Sequence, residues 1–184
     1  MLTRSGVERI PMSREEFYRR AENLDECLQD WEDGVAIRVT APHSRHGYFR
    51  DKLIVRLDPH VPEGKVRSEI FVDFPNRTYG ADIAVLFAPH VKQHQKGRFK
   101  GPPDIIVEVI SPDSADRDRV EKFDAYYEQG VAWYWIGDPA AGTLEEYHRA
   151  PDGYVRTASG SLSHPFKPKA LAGLTIELAD LLED

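Results

Sequence analysis

Pro103-Asp104-Ile105-Ile106-Val107-Glu108-Val109-Ile110-Ser111-Pro112 is an apolar strand with one acid through its middle. The β-branched run favours extended backbone, and the prolines bound it. A carboxylate in a buried strand is costly unless a metal, a cation or a hydrogen-bond network meets it. Glu108 therefore marks the place where chemistry is expected.

The chain on the C-terminal side extends this pattern. Ser111-Pro112-Asp113-Ser114 is a turn and helix-start signal. A helix is expected from about Ala115 to Gln129, stopped by Gly130, with Val120, Phe123 and Tyr127 as its buried stripe. Ala132-Trp133-Tyr134-Trp135-Ile136 is the next strand, closed by Asp138-Pro139. Strand, helix and strand in this order predict a crossover that returns beside the Glu108 strand. Leu144 to Arg149 and Tyr154 to Ala158 read as a hairpin around Pro151-Asp152-Gly153. A short strand and a final helical turn lie between Leu171 and Leu182.

On the N-terminal side, Ala81 to Phe87 and Glu69 to Phe74 alternate as strands do. His46, Phe49, Leu53 and Leu57 suit one face of a helix from Ser44 to Leu57. Val35 to Val39 is a strand, preceded by a strand start and turn over Asp30 to Gly34. Ser13 and Glu16 form a capping box for a first helix over residues 13–28, with Phe17, Ala21, Leu24 and Leu28 on one face and Cys27 as a small buried hydrophobe. We expect one domain over 1–184: this helix, a core over 30–139, and a hairpin and tail over 140–184.

Composition narrows the function classes. Of 184 residues 41% are hydrophobic and 30% charged, which fits a folded chain with a real core. No apolar run approaches a membrane span, and the N-terminus lacks the apolar stretch of a signal peptide. A single cysteine excludes a disulfide framework and a cysteine-rich zinc site, so a reducing, cytoplasmic setting is expected. The net charge of −7 argues against broad nonspecific nucleic-acid binding, though not against an enzyme that confines its cations to one groove.

Asp82, Glu108 and Lys122 are the candidate catalytic residues. If their strands are neighbours, both carboxylates reach one end of one sheet face. With a backbone carbonyl they form an oxygen-rich site suited to magnesium, with manganese as a substitute. Nucleases of the Glu-x-Lys pattern would carry lysine at position 110, where this chain has Ile110. Lys122, about two turns into the next helix, is the substitute. His46 and Asp104 are possible accessory residues. Lys92, Lys96, Arg98 and Lys100, in the loop between the two acid-bearing strands, are possible phosphate contacts. Each has a plainer reading: a Glu108–Lys122 ion pair, a structural histidine, a solvated loop. Trp133, Tyr134 and Trp135 are expected in the core or at a subunit interface.

Gly80 to Val85, Pro103 to Pro112, Asp118, Lys122, Tyr126, Gly130-Val131 and Tyr134 to Pro139 resemble the putative restriction endonuclease family. That family was formerly a domain of unknown function, is abundant in cyanobacteria, and is placed in the PD-(D/E)xK nuclease superfamily. The resemblance covers nearly the whole chain. It implies an α/β restriction-endonuclease-like core, a mixed central sheet flanked by helices with an additional β-hairpin. It implies Asp82 and Glu108 as metal ligands and Lys122 as a lysine migrated to the helix. Asp30 matches an accessory glutamate of the family, one carbon shorter here. Ala81 stands where the family has proline. DNA as substrate and a homodimer, one subunit for each strand of a duplex, follow from the same resemblance. The rival readings are a noncatalytic binding module that retains the fold, and an enzyme acting on a small phosphorylated substrate.

Overall fold

The structure is a computed structural model and describes residues 7–23, 26–39, 44–95, 97–111 and 117–182. Lys96 and the helix start expected at 112–114 lie outside them.

The Glu108 strand is β8 (Ile105–Val109), and all five of its residues are buried. On one edge it pairs antiparallel with β5 (Arg77–Leu86); on the other it runs parallel to β9 (Trp133–Asp138). The parallel pair is the crossover that the sequence predicts. From β9 the sheet continues through β10 (Thr143–Ala150) and β11 (Gly153–Ser161), so the hairpin extends the main sheet. In the other direction β5 pairs with β2 (Leu28–Glu32), then come β3 (Val35–Val39) and β1 (Val7–Pro11). β4 (Lys65–Asp73) covers the remaining edge of β5, with β6 (His94–Gln95) and β7 (Arg98–Lys100) outside it. Among the described residues these eleven strands form one mixed sheet.

Helices cover both faces. α1 is Arg14–Ala21, α2 Ser44–Leu57, α3 Lys122–Glu128 and α4 Leu178–Leu182. Phe49, Leu53 and Leu57 of α2, spaced four apart and so on one helix face, pack on Ile83, Val85, Ile105 and Val107. Ala125 and Tyr126 of α3 pack on the opposite face, with Ala84, Ile106, Tyr134 and Ile136. α1 closes the β1–β3–β2 end through Phe17, with Met12, Leu28 and Ala36.

Three expectations need correction. α1 ends at Ala21, and Leu28 begins β2. Ser13 does cap α1, accepting the Glu16 amide at 3.1 Å, but the chain then turns; Cys27 sits off the helix at φ +49° and is half-buried. The stripe on α3 is Lys122, Ala125 and Tyr126, while Val120 is 58% exposed. A π-helical turn (Arg117–Glu121) precedes α3 and adds a residue to the turn, so spacing counted across it puts Val120 on the wrong side. Phe123 and Tyr127 turn instead toward the hairpin, where Phe123 meets the edges of Tyr147 and Tyr154 at 5.0 Å. Finally, the loop after β5 is partly ordered: it carries a 3-10 turn (Ala88–Gln93), then β6 and β7. Strand β1 has no counterpart in the sequence reading.

Glu146 on β10 is fully buried yet satisfied. It accepts hydrogen bonds from Thr157 Oγ1 at 2.7 Å and from the amides of Lys169 at 2.8 Å and Ala170 at 3.0 Å. One carboxylate thus pins the tail, whose Phe166 bridges to Ile176, against the hairpin. Glu146→Ala strands these donors and is expected to cost about 2–4 kcal/mol. Urea denaturation measures this; a loss under about 0.5 kcal/mol would refute the pinning role.

Candidate active site

The site lies where the backbone ladder along β5 is interrupted. β4 takes one edge of β5 along most of its length. The other edge is shared end to end: β2 pairs with residues Arg77–Tyr79 and β8 with Ile83–Val85. Between them, at Gly80 to Asp82, neither neighbour supplies backbone partners. Buried amides must still be satisfied, and here carboxylates do it. Asp30 Oδ1 accepts the Gly80 amide at 2.8 Å, and Asp82 Oδ2 accepts the Val109 amide at 2.8 Å. Gly80 leaves no room for a side chain, since a Cβ there would lie 2.7 Å from the Gln29 carbonyl oxygen of β2.

Register places the two central acids together. Ile83 faces Val107, Ala84 faces Ile106 and Val85 faces Ile105. One step further along the same register, Asp82 falls opposite Glu108, so the two residues occupy cross-strand positions. The β4–β5 ladder also skips a step there, at Glu69 opposite Asp82, and Glu69 has φ +48°. Tyr79 and Ala81 before this point share a core cluster with Ala84 and Leu86 after it, which unbroken alternation forbids. The strands twist at the Asp82 level.

Two helices complete the arrangement. Lys122, buried in the first turn of α3, holds its Nζ 3.0 Å from Glu108 Oε1. Tyr126, one turn later on the same helix face, donates its hydroxyl to that oxygen at 2.7 Å. From the opposite side, the first turn of α2 brings His46 Nε2 to 3.0 Å from Asp82 Oδ1. An ionised carboxylate only accepts, so Nε2 carries a proton and donates it. His46 Nδ1 is buried and has no partner among the described residues.

Electrostatics follow from these contacts. Burial pushes the Asp82 carboxyl up, but the His46 hydrogen bond and charge, the Lys122 charge and the Val109 amide outweigh it, so its pKa lies below the ordinary value. Burial, then the Glu108 charge, raises the Tyr126 hydroxyl well above its ordinary value, so it stays a donor. A lowered folded pKa gives Asp82 a contribution that is full above the unfolded value of about 3.9 and is lost as pH falls through the folded value. The stability gap between wild type and Asp82→Asn should therefore be widest near neutral pH and narrow in acid, as pH falls below the unfolded value. Denaturant melts at both pH values test this; a gap independent of pH would contradict it.

The other candidates fall elsewhere. Asp104, just before β8, accepts the Phe87 amide at 2.7 Å and contacts His90 Nδ1 at 2.8 Å. It tethers the turn after β5, four residues along from Glu108, a strand length of about 13 Å. Asp30 is fully buried beside Gly80, and its charge acts on the Tyr126 hydroxyl. Lys92 and Lys100 are exposed, and the Arg98 guanidinium stacks on the Tyr18 ring at 3.5 Å. β7, which carries Arg98 and Lys100, is separated from β8 by β4 and β5. Tyr134 and Trp135 lie in the core on opposite faces; Trp133 is half-buried and packs on His148 at 4.1 Å. Tyr126 belongs to the motif that carries the family resemblance, and its spacing of four from Lys122 is the signal in the chain for its place beside that lysine.

The family described as "Uma2: Putative restriction endonuclease" matches residues 14–179. The chain belongs to this family. Among solved structures it is similar to one titled as a putative nuclease belonging to DUF820 from Anabaena variabilis ATCC 29413, with a TM-score of 0.66 and 18% identity over 85% of this chain and 90% of that one. At that identity the likeness establishes the fold, an open mixed sheet with flanking helices. No curated protein matches the chain. Family and fold together give a restriction-endonuclease-like nuclease class. Among the described residues no helix is long and apolar enough to cross a membrane.

The donor set can be tested against the divalent metal that such families use. Among the described residues no group of three or more His, Cys, Asp and Glu is placed to hold a metal ion. That does not suit zinc, which takes nitrogen- and sulfur-rich closed sites. Two neighbouring carboxylates do suit magnesium, which keeps several waters and is held by one or two carboxylates plus substrate phosphate oxygens.

Proposed function

We propose that the protein is a magnesium-dependent endonuclease that hydrolyses phosphodiester bonds in DNA, with manganese as a substitute ion. Asp82 and Glu108 would hold the cation, and Lys122 would serve the reacting phosphate. The observation that carries this is the convergence of Lys122 and Glu108 at 3.0 Å beside Asp82, whose carboxyl the Lys122 charge helps keep ionised. A bound divalent ion supplies Lewis-acid polarisation of the phosphodiester and a more acidic water.

The chain's own residues do the rest. Asp82 stays ionised, and its Oδ2 is fixed by the Val109 amide. Among the described residues, Lys122 and Tyr126 both hold Glu108 Oε1. Lys122 has three N–H donors on a flexible stem, so it can orient water or stabilise charge developing on phosphate. His46 steadies Asp82 from the other face, and Asp30 is the accessory acid at the fork of the ladder. Exposed Lys92 and Lys100 would meet phosphates away from the cut. A homodimer would present one site to each strand of a duplex.

A second reading has a specific support. A buried Glu108–Lys122 pair is also what a silent binding module would keep, since removing either partner alone is costly. Incubating the protein with plasmid DNA, magnesium or manganese, and EDTA controls separates the two. The proposal expects metal-dependent strand scission abolished by EDTA. Absence of cleavage of both DNA and RNA, together with no calorimetric heat on adding manganese, would overturn the nuclease proposal in favour of the binding module.

A further inference from the structure

We infer that Tyr126 is a positioning residue that keeps Glu108 in place while Lys122 leaves it to serve the phosphate. This rests on the metal-dependent reading above and assigns a role that reading does not contain. Lys122 and Tyr126 are four apart on α3, so one helix face delivers an amine and a hydroxyl to the same oxygen, Glu108 Oε1, at 3.0 and 2.7 Å. Moving Lys122 onto substrate takes one donor away from that oxygen. The Tyr126 hydroxyl stays.

The ring is built to be immobile. Tyr126 has no exposed surface and sits among the rings of Tyr79 at 5.2 Å, Tyr134 at 5.3 Å and Phe74 at 6.3 Å, mostly in edge contacts. A fixed ring fixes its hydroxyl, and the hydroxyl fixes the carboxylate. An ionised carboxylate oxygen only accepts, so in this contact the hydroxyl is the donor. Hydrogen bonds to ligating carboxylates set ligand orientation, and losing one lowers metal affinity or activity by about 10–100-fold.

The test is calorimetric titration of manganese into wild type, Glu108→Gln and Tyr126→Phe, with kcat and KM on DNA measured alongside. Phe keeps the ring packing and removes only the hydroxyl. The inference expects folded Tyr126→Phe to bind manganese about 10–100-fold more weakly, with lower kcat and an unchanged KM for DNA. A merely structural tyrosine would lower the melting temperature and leave the Kd of the folded protein as in wild type. That outcome overturns the inference while the metal reading stands. Wild type that binds no manganese overturns the metal reading itself. Should Tyr126→Phe not fold, the Tyr126 hydroxyl proton of wild type can be followed by NMR during a magnesium titration; a resonance that does not move refutes the role.

Discussion

Lys122→Met is expected to cost about 3–5 kcal/mol of stability without divalent ions, and magnesium is expected to return part of that loss. Lys122 and Glu108 form an ion pair whose side chains are 2% and 1% exposed. Methionine fills much of the lysine stem's volume, so the cavity cost is small. The electrostatic cost is not small. Glu108 loses its buried cation, and Asp82 loses one of the charges that keep it ionised. Two acids on neighbouring strands are then left with less positive charge near them. A cation that binds the folded state adds RT ln(1 + [L]/Kd), about 2.7 kcal/mol at a hundred times Kd. Urea melts with and without magnesium read both effects. A destabilised variant whose midpoint magnesium leaves unmoved would mean the acids do not share a cation. Glu108→Leu combined with Lys122→Met supplies the control, since an apolar pair of matched volume should recover most of the stability and none of the metal response.

Glu108→Gln is expected to lower cleavage by at least about a thousandfold at saturating magnesium. Glutamine retains the shape and an acceptor oxygen for the Tyr126 hydroxyl, so the packing survives. What goes is the charge. Stabilisation of phosphate charge by a held cation is worth several kcal/mol, and each 1.4 kcal/mol is about a factor of ten in rate. The variant must be assayed below its melting point, because Lys122 loses its ionic partner. Residual activity within tenfold of wild type would remove Glu108 from the chemistry.

Both expectations turn on residues that stand out in the linear chain. Glu108 is conspicuous because an acid interrupts an apolar run. Asp82 is conspicuous for the same reason, and Lys122 follows once position 110 is seen to hold isoleucine. Other parts were hidden. Glu146 occupies an inward position two residues after Leu144, and strict alternation could have found it, but its donors come from Thr157 and from Lys169 and Ala170 far along the chain. The end of α1 at Ala21 was obscured because Leu24 and Leu28 continue the helical spacing while Leu28 serves β2. Helical spacing selects the wrong face of α3 because a π-helical turn changes the count, and that turn leaves no mark in residue type.

By itself the sequence determined the alternation of strands and helices, the parallel crossover after Glu108, and the three residues worth testing. Those follow from local rules: strand periodicity, helix starts and stops, and the cost of an acid among apolar neighbours. The tertiary structure alone decided that β2 and β8 share one edge of β5 and leave a fork at Gly80 to Asp82. It alone brought Tyr126 and His46 to the two carboxylates from helices on opposite faces. Which amides go unpaired, and which side chains answer them, depends on strand pairing between distant segments, and no local pattern in the chain encodes that.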